Sequence, residues 1–207
     1  MSTHHPPRLW PDDDRPLADA RYTFLERYLD ALPTLEPTRD NLPPAFDGSL
    51  VTATVALENV APRTSHRSML RTPEDATAMR DAATTLGHAD RLAFTCDVGH
   101  ARDPAAMLAA MNPVVNVHLH STVPVGDRAA ARIRDRYGID DIGRLGEFDR
   151  PGRAHHLPPH VGELDVPTVL DALDDRDYDG PLTVELAAPY RSADVVHETV
   201  DALDIYR

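Results

Sequence analysis

A parallel α/β barrel is the fold class this sequence predicts, and three observations predict it. Four short apolar or β-branched runs each reach a potential metal ligand: VTATVALE at Glu58, LAFTCD at Asp97, VVNVHLH at His118 and LTVE at Glu185. Helix-like stretches separate these runs, and strands alternating with helices imply a parallel sheet with right-handed crossovers. No internal repeat and no long linker breaks the alternation. In such a barrel the carboxyl ends of the strands share one rim, so side chains far apart in sequence are brought together there.

Composition sets the frame. The 207 residues, 42% hydrophobic, suffice for one domain with a sizeable core. No window approaches the roughly 18 consecutive apolar residues a membrane span requires, and the opening MSTHHPPRLWPDDD lacks a secretory apolar core, so a cytoplasmic protein that engages no membrane is expected. Cys96 is the single cysteine, which excludes a disulfide framework and argues against a cysteine-based zinc site; beside Asp97 in an apolar run it reads as a small buried residue. Net charge is -13, with 26 Asp against 8 Glu and 21 Arg with no Lys. This acidity disfavours nucleic acid as a partner. It suits concentrated salt, where the Debye length shrinks to roughly 3 Å at 1 M and self-repulsion is screened. A halophilic archaeal source is therefore expected, although a GC-rich genome alone would also favour Arg over Lys.

Each element follows in order. Residues 1–17 are rich in Pro, Asp and His without periodicity and are expected to form a loose arm, with His4 and His5 solvated; residues 18–207 are expected to form a single domain. Between Ala18 and Leu35, Tyr22, Leu25, Tyr28, Leu29 and Leu32 recur at helical spacing until Pro33. The first strand is expected over Leu50 to Glu58. Thr72 followed by Pro73 is an N-cap with proline at the first helical position, and that helix should stop at Gly87. A strand over Leu92 to Asp97, a short helix opened by Asp103-Pro104, and a strand over Val114 to His120 come next. Asp127 to Tyr137 reads as helix, within a stretch to His155 that otherwise reads as a long loop of the kind that covers a site. Pro167 to Arg176 is helical, Asp179-Gly180 turns the chain, Pro181 to Leu186 is a strand, and Ser192 to Tyr206 closes as an amphipathic helix.

The ordered pieces ALENVAP, FTCDVGHA, VNVHLHS, HLPPHVGELD and YDGPLTVEL resemble the xylose isomerase-like barrel superfamily, which includes sugar-phosphate isomerases and epimerases and the endonuclease IV group. The resemblance covers about residues 18–207 and implies a TIM-type (β/α) barrel with a divalent metal at the strand ends. It implies Glu58, Asp97, His118 and Glu185 as metal ligands, Glu58 and Glu185 as the catalytic acid and base, and His100 and His156 as groups that bind substrate, His156 alternatively a second metal. Three carboxylates and one imidazole suit Mn²⁺, Mg²⁺ or Co²⁺, with Zn²⁺ possible. His118 rather than His120 is the ligand by resemblance, but the period of two places both on one face of the strand.

Each residue has a structural alternative. Glu58 could cap a strand end, although a carboxylate after six nearly uncharged residues is costly to bury without a partner. Asp97 could be the N-cap of the next turn. His118 and His120 alone would read as hydrogen-bonded core or rim histidines. His155 and His160 are expected to be solvated loop residues, and His66, His88 and His197 carry no signal.

The resemblance implies proton transfer on a small-molecule keto sugar through an enediolate, by epimerisation or isomerisation. The departures are equally definite. The first convincing strand resembles the family's fourth, so about five of eight βα units are expected, and the barrel is expected to be incomplete. Its open edge would be covered by self-association as a homo-oligomer, by the arm, or by a partner chain. Endonuclease IV-like sites carry an Asp where this chain has Ala154. The Asp expected after HLH is Ser121, and the first Gly expected after the Pro-Pro pair is His160. An isomerase or epimerase is expected first, a non-catalytic or shortened member acting as a partner subunit second, and a phosphodiesterase third.

Overall fold

The computed structural model describes residues 8–9, 14–31, 54–61, 67–126, 128–139 and 152–205. The start of the first predicted strand at Leu50, residues 32–35 of the first predicted helix, His4, His5, His66 and Tyr206 lie outside the described residues.

A four-stranded parallel sheet holds the molecule together, formed by β2 (Val55–Glu58), β4 (Leu92–Asp97), β5 (Val114–Leu119) and β8 (Leu182–Val184), in the order β2-β4-β5-β8. Every residue of β2 and β4 is buried. Strands covered on both faces are what an apolar run such as LAFTCD produces, since no side of it can face water without exposing Leu or Phe. The register sets Glu58 opposite Thr95, Asp97 opposite His118, and Leu119 opposite Val184, and the Glu185 N–H donates to the Leu119 carbonyl at 3.0 Å. The candidate ligands therefore stand at one edge of the sheet, the carboxyl ends of its strands.

Helices α1 (Leu17–Ala31), α2 (Pro73–Thr85), α3 (Pro104–Ala110) and α5 (Val166–Asp174) form a layer in which successive helices touch. Their boundaries are set locally. Thr72 accepts from the Asp75 N–H while Asp75 accepts from the Thr72 N–H, a capping box, and Gly87 in the left-handed region (φ 78°) ends the turn after α2. Asp103 and Asp165 are side-chain N-caps of α3 and α5, accepting from the Ala106 and Thr168 N–H groups. Leu25, Leu29, Leu57, Met69, Leu70, Met79, Phe94, Met107 and Leu119 share the main apolar cluster between these helices and the sheet. Cys96 is fully buried in it, and burial beside Asp97 pushes its thiol pKa far up.

The stretch from Ser121 to His155 differs from the expected covering loop. Helix α4 (Arg128–Tyr137) is present as predicted, but β6 (Ser121–Pro124) pairs antiparallel with β7 (Arg153–Leu157). The two strands are about thirty residues apart with a helix between them, so no local hairpin signal marks the pair. A second cluster, including Val123, Ile133, Ala154, Leu157, Leu186, Tyr190 and Val195, packs this ribbon against α4 and the closing helix α6 (Ala193–Asp204). Within the stretch expected as an arm, β1 (Arg8–Leu9) pairs antiparallel with β3 (Arg67–Ser68). Four parallel strands lie among the described residues, where about five βα units were expected, and the sheet they form is open, with β2 and β8 as its end strands. Among the described residues no helix is long and apolar enough to cross a membrane.

Candidate functional site

Side chains from four strand ends meet above the sheet. One ligand atom each from Glu58, Asp97, His118 and Glu185 lies within 4.8 Å of all the others. Donors at roughly 2.0 to 2.6 Å from a shared ion stand at most about 4 to 5 Å apart, so the spacing fits one cation. The set is three carboxylates and one imidazole, an anionic and mostly oxygen environment suited to Mn²⁺, Mg²⁺ or Co²⁺. Glu58, Asp97 and His118 are buried, whereas the Glu185 side chain is 40% exposed and forms the open side of the cluster.

Hydrogen bonds hold each member. His118 Nδ1 lies 3.0 Å from Glu58 Oε1 and 3.3 Å from Glu185 Oε2, and its Nε2 is 3.0 Å from the Asn116 carboxamide, which in turn accepts from Thr183. Burial opposes charge on the His118 ring, but its pairing with Glu185 and Glu58 outweighs that and lifts its pKa to about 10. The same pairing holds the Glu185 carboxyl below the usual range, against the effect of burial and with help from the nearby His156. Asp97 is fully buried, which by itself would favour the protonated acid. His120 and His100 reverse the sign, and its carboxyl lies well below the ordinary value.

Beside the acidic group stands a histidine group. His100 Nδ1 is 3.0 Å from Asp97 Oδ2, and His120 Nε2 is 2.9 Å from Asp97 Oδ1. His156 Nδ1 is 3.8 Å from Glu185 Oε2. Ligand atoms of His100, His120 and His156 also lie within 4.8 Å of one another. His156 has φ 55°, a left-handed conformation unusual for a side chain with a Cβ, and this turns its ring toward the cluster. The substrate-facing pair expected from the sequence, His100 and His156, thus borders the expected ligands, with ring centroids 5.3 Å apart.

The structure separates the two histidines that alternation could not. His118 joins Glu58 and Glu185, while His120 joins Asp97 and His100. His155 is not a solvated loop residue: it is fully buried within β7, with its ring centroid 5.6 Å from that of His100 and 6.1 Å from that of His120. His160 is not solvated either, since its Nε2 lies 2.6 Å from Glu198 on α6. A second contributor missed in the sequence is Asn59, whose carboxamide bonds both backbone polar groups of Asp97. Its position directly after Glu58 was visible, but its partner was not.

The family described as xylose isomerase-like TIM barrel matches residues 2–206. A solved D-tagatose 3-epimerase-like protein is similar in structure with TM-score 0.55 and 16% identity, covering 100% of this chain and 60% of that one. The 3-keto-D-glucoside 4-epimerase from E. coli, without bound ligand, is similar with TM-score 0.50 and 16% identity, covering 94% of this chain and 56% of that one. The chain thus spans about 60% of the length of these solved structures. No curated protein matches the chain.

Proposed function

The chain belongs to the xylose isomerase-like TIM barrel family, and from that premise we propose that it is a divalent-metal-dependent isomerase or epimerase of a sugar or sugar phosphate. The observation that carries the proposal is the convergence of Glu58, Asp97, His118 and Glu185 within 4.8 Å at the carboxyl edge of a parallel sheet. The similar folds of a D-tagatose 3-epimerase-like protein and of a 3-keto-D-glucoside 4-epimerase support the substrate class.

The donor set fits a hard or borderline divalent cation, held by Glu58, Asp97, His118 and Glu185. A cation bound there would supply Lewis acidity that makes the C–H next to a sugar carbonyl more acidic. The rest falls to the protein's own groups. Glu58 closes β2 and Glu185 follows β8, at the two ends of the strand order, and both carboxylates reach the rim beside His118. One removes the proton from the carbon next to the carbonyl and the other returns a proton. Return to the opposite face of the same carbon inverts it, and return to the neighbouring carbon moves the carbonyl. His100 and His156 hold the substrate's hydroxyls or phosphate from the side next to Asp97 and Glu185.

We take the protein to be cytoplasmic and from a salt-loving organism, as its Asp-rich, Lys-free composition suggests, and to cover its end strands as a homo-oligomer or with a partner chain. A second reading, a non-catalytic member acting as a partner subunit, is favoured by the sheet seen among the described residues, whose outer strands β2 and β8 each have one neighbour there. The deciding experiment is solvent deuterium incorporation at the α-carbon across a panel of ketoses and ketose phosphates, with Mn²⁺, Mg²⁺ and Co²⁺ in high salt. Metal-dependent exchange with at least one sugar is expected. No exchange, together with a native mass showing a metal-free monomer, would leave the partner-subunit reading standing in its place.

A further inference from the structure

We propose that His120 is a positioning residue: its ring orients the Asp97 carboxylate through Nε2 and anchors the His156 backbone through Nδ1. The roles of Asp97 and His156 rest on the function proposed above; the geometry of His120 does not.

His120 is fully buried, and both ring nitrogens are committed. The His156 N–H donates to His120 Nδ1 at 3.1 Å, which requires a lone pair there. The proton then sits on Nε2, which faces Asp97 Oδ1 at 2.9 Å and Oδ2 at 3.2 Å. The opposite tautomer would point Nδ1 at the Ser121 carbonyl, 3.3 Å away. It would leave the His156 N–H without this acceptor and set a nitrogen lone pair against a carboxylate, so the surroundings select the Nε2–H form.

Two features show that the chain is built around this ring. Gly99 lies against it, and a Cβ at residue 99 would collide with the ring atoms. His156 is in the left-handed region and is tied at both backbone groups, through its N–H to His120 and through its carbonyl to the Ala187 N–H at 2.9 Å. Such a conformation persists only where the surroundings over-determine it. Removing the His120 acceptor frees one of the two ties, so the His156 ring, 4.2 Å centroid to centroid from His120, loses its aim while Asp97 loses its orienting donor. His100, His120 and His156 are close enough together to suggest a second cation site, but a ring with both nitrogens committed has no lone pair to offer one.

The test uses the full chain with nitrogen-15 labelled histidine. Long-range proton–nitrogen correlation on the metal-free protein, and again after Mg²⁺ loading, is expected to show His120 with a bare, hydrogen-bonded Nδ1 and a protonated Nε2 in both. In parallel, His120→Asn, checked for native circular dichroism, is expected to bind Mg²⁺ and Co²⁺ roughly 10- to 100-fold more weakly by calorimetry, as when an outer partner of a metal ligand is lost. Three results would overturn the proposal: a proton on Nδ1, unchanged affinity in the folded variant, or a second equivalent of Co²⁺ per chain that disappears in His120→Asn. The tautomer measurement needs only the wild-type protein, so it decides even if the variant does not fold. None of these readouts uses sugar turnover, so failure of the sugar-exchange assay is separable from failure here.

Discussion

Asn59 grips both backbone polar groups of Asp97: the Asn59 Nδ2 donates to the Asp97 carbonyl at 2.7 Å, and the Asp97 N–H donates to the Asn59 Oδ1 at 2.7 Å. Asn59 directly follows Glu58, so this pair of bonds ties the ends of β2 and β4 together where two candidate ligands emerge. Asn59→Asp keeps the shape and the acceptor but removes the donor, leaving a buried carbonyl opposite a carboxylate. It is expected to destabilise the protein by about 1 to 3 kcal/mol in urea unfolding and to weaken Mg²⁺ binding in calorimetry. An unchanged unfolding midpoint would show that the clamp contributes nothing.

Glu58→Gln and Glu185→Gln each preserve volume and remove a titrating oxygen. Solvent deuterium exchange at the sugar α-carbon is expected to fall by roughly 10²- to 10⁴-fold in either variant, measured by NMR with metal in excess. Retention of full exchange in one of them would remove that residue from the proton-transfer pair.

Chelation tests the anionic cluster. Glu58, Asp97 and Glu185 repel one another across less than 4.8 Å, and a cation relieves this while binding only the folded chain. At a hundredfold excess over Kd the gain is about 2.7 kcal/mol, or roughly 5 to 10 °C in melting temperature. EDTA should abolish it and added Mn²⁺ restore it, whereas melting curves that coincide with and without Mn²⁺ would argue that no cation is held.

Arg21 on α1 and Asp75 on α2 form a buried ion pair, with Arg21 Nε also donating to the Met69 carbonyl at 3.1 Å and Asp75 accepting from the Arg71 and Thr72 N–H groups. Removing one partner strands the other away from water. Arg21→Met should cost about 3 to 5 kcal/mol, and Arg21→Met with Asp75→Leu less than the sum of the two single changes. Additive costs in chemical denaturation would mean that the pair is not coupled.

Glu198 sets a pH dependence. Burial opposes its ionisation, but the hydrogen bond from His160 and the charge of Arg136, helped by Tyr137, hold its carboxyl below the ordinary value of 4.5. A depressed carboxyl stabilises the fold above its unfolded pKa and loses that contribution as pH falls through its folded pKa. Because its side chain is 34% exposed, the contribution is below about 1 kcal/mol. The stability gap between wild type and Glu198→Gln should therefore be full near pH 6 to 7 and shrink below pH 4.5. A gap that widens on acidification would reverse the sign.

Much of this was legible locally. Thr72 and Asp103 announce their helices because capping is settled within three residues, and LAFTCD announces a buried strand because its composition allows no wet face. The four candidate ligand positions were visible as acidic or imidazole residues closing apolar runs, and they do converge. The β6-β7 ribbon was not legible, since Ser121 and Leu157 pair across an intervening helix. Nor was the burial of His155 or the partner of His160, because each depends on an element distant in the chain.

The chain alone determined an alternating α/β order and the residues able to meet at its strand ends, because hydrophobic period and capping act over a few residues. Only the folded sheet shows which side chains His118 and His120 each meet. Both face the same side of β5, and the division of labour came from the neighbouring strands: register brought Glu58 and Glu185 to His118, while the turn after β4 set Gly99 and His100 against His120. A period of two can place a side chain on a face, but the group it meets there is set by strands whose distance in sequence carries no local signal.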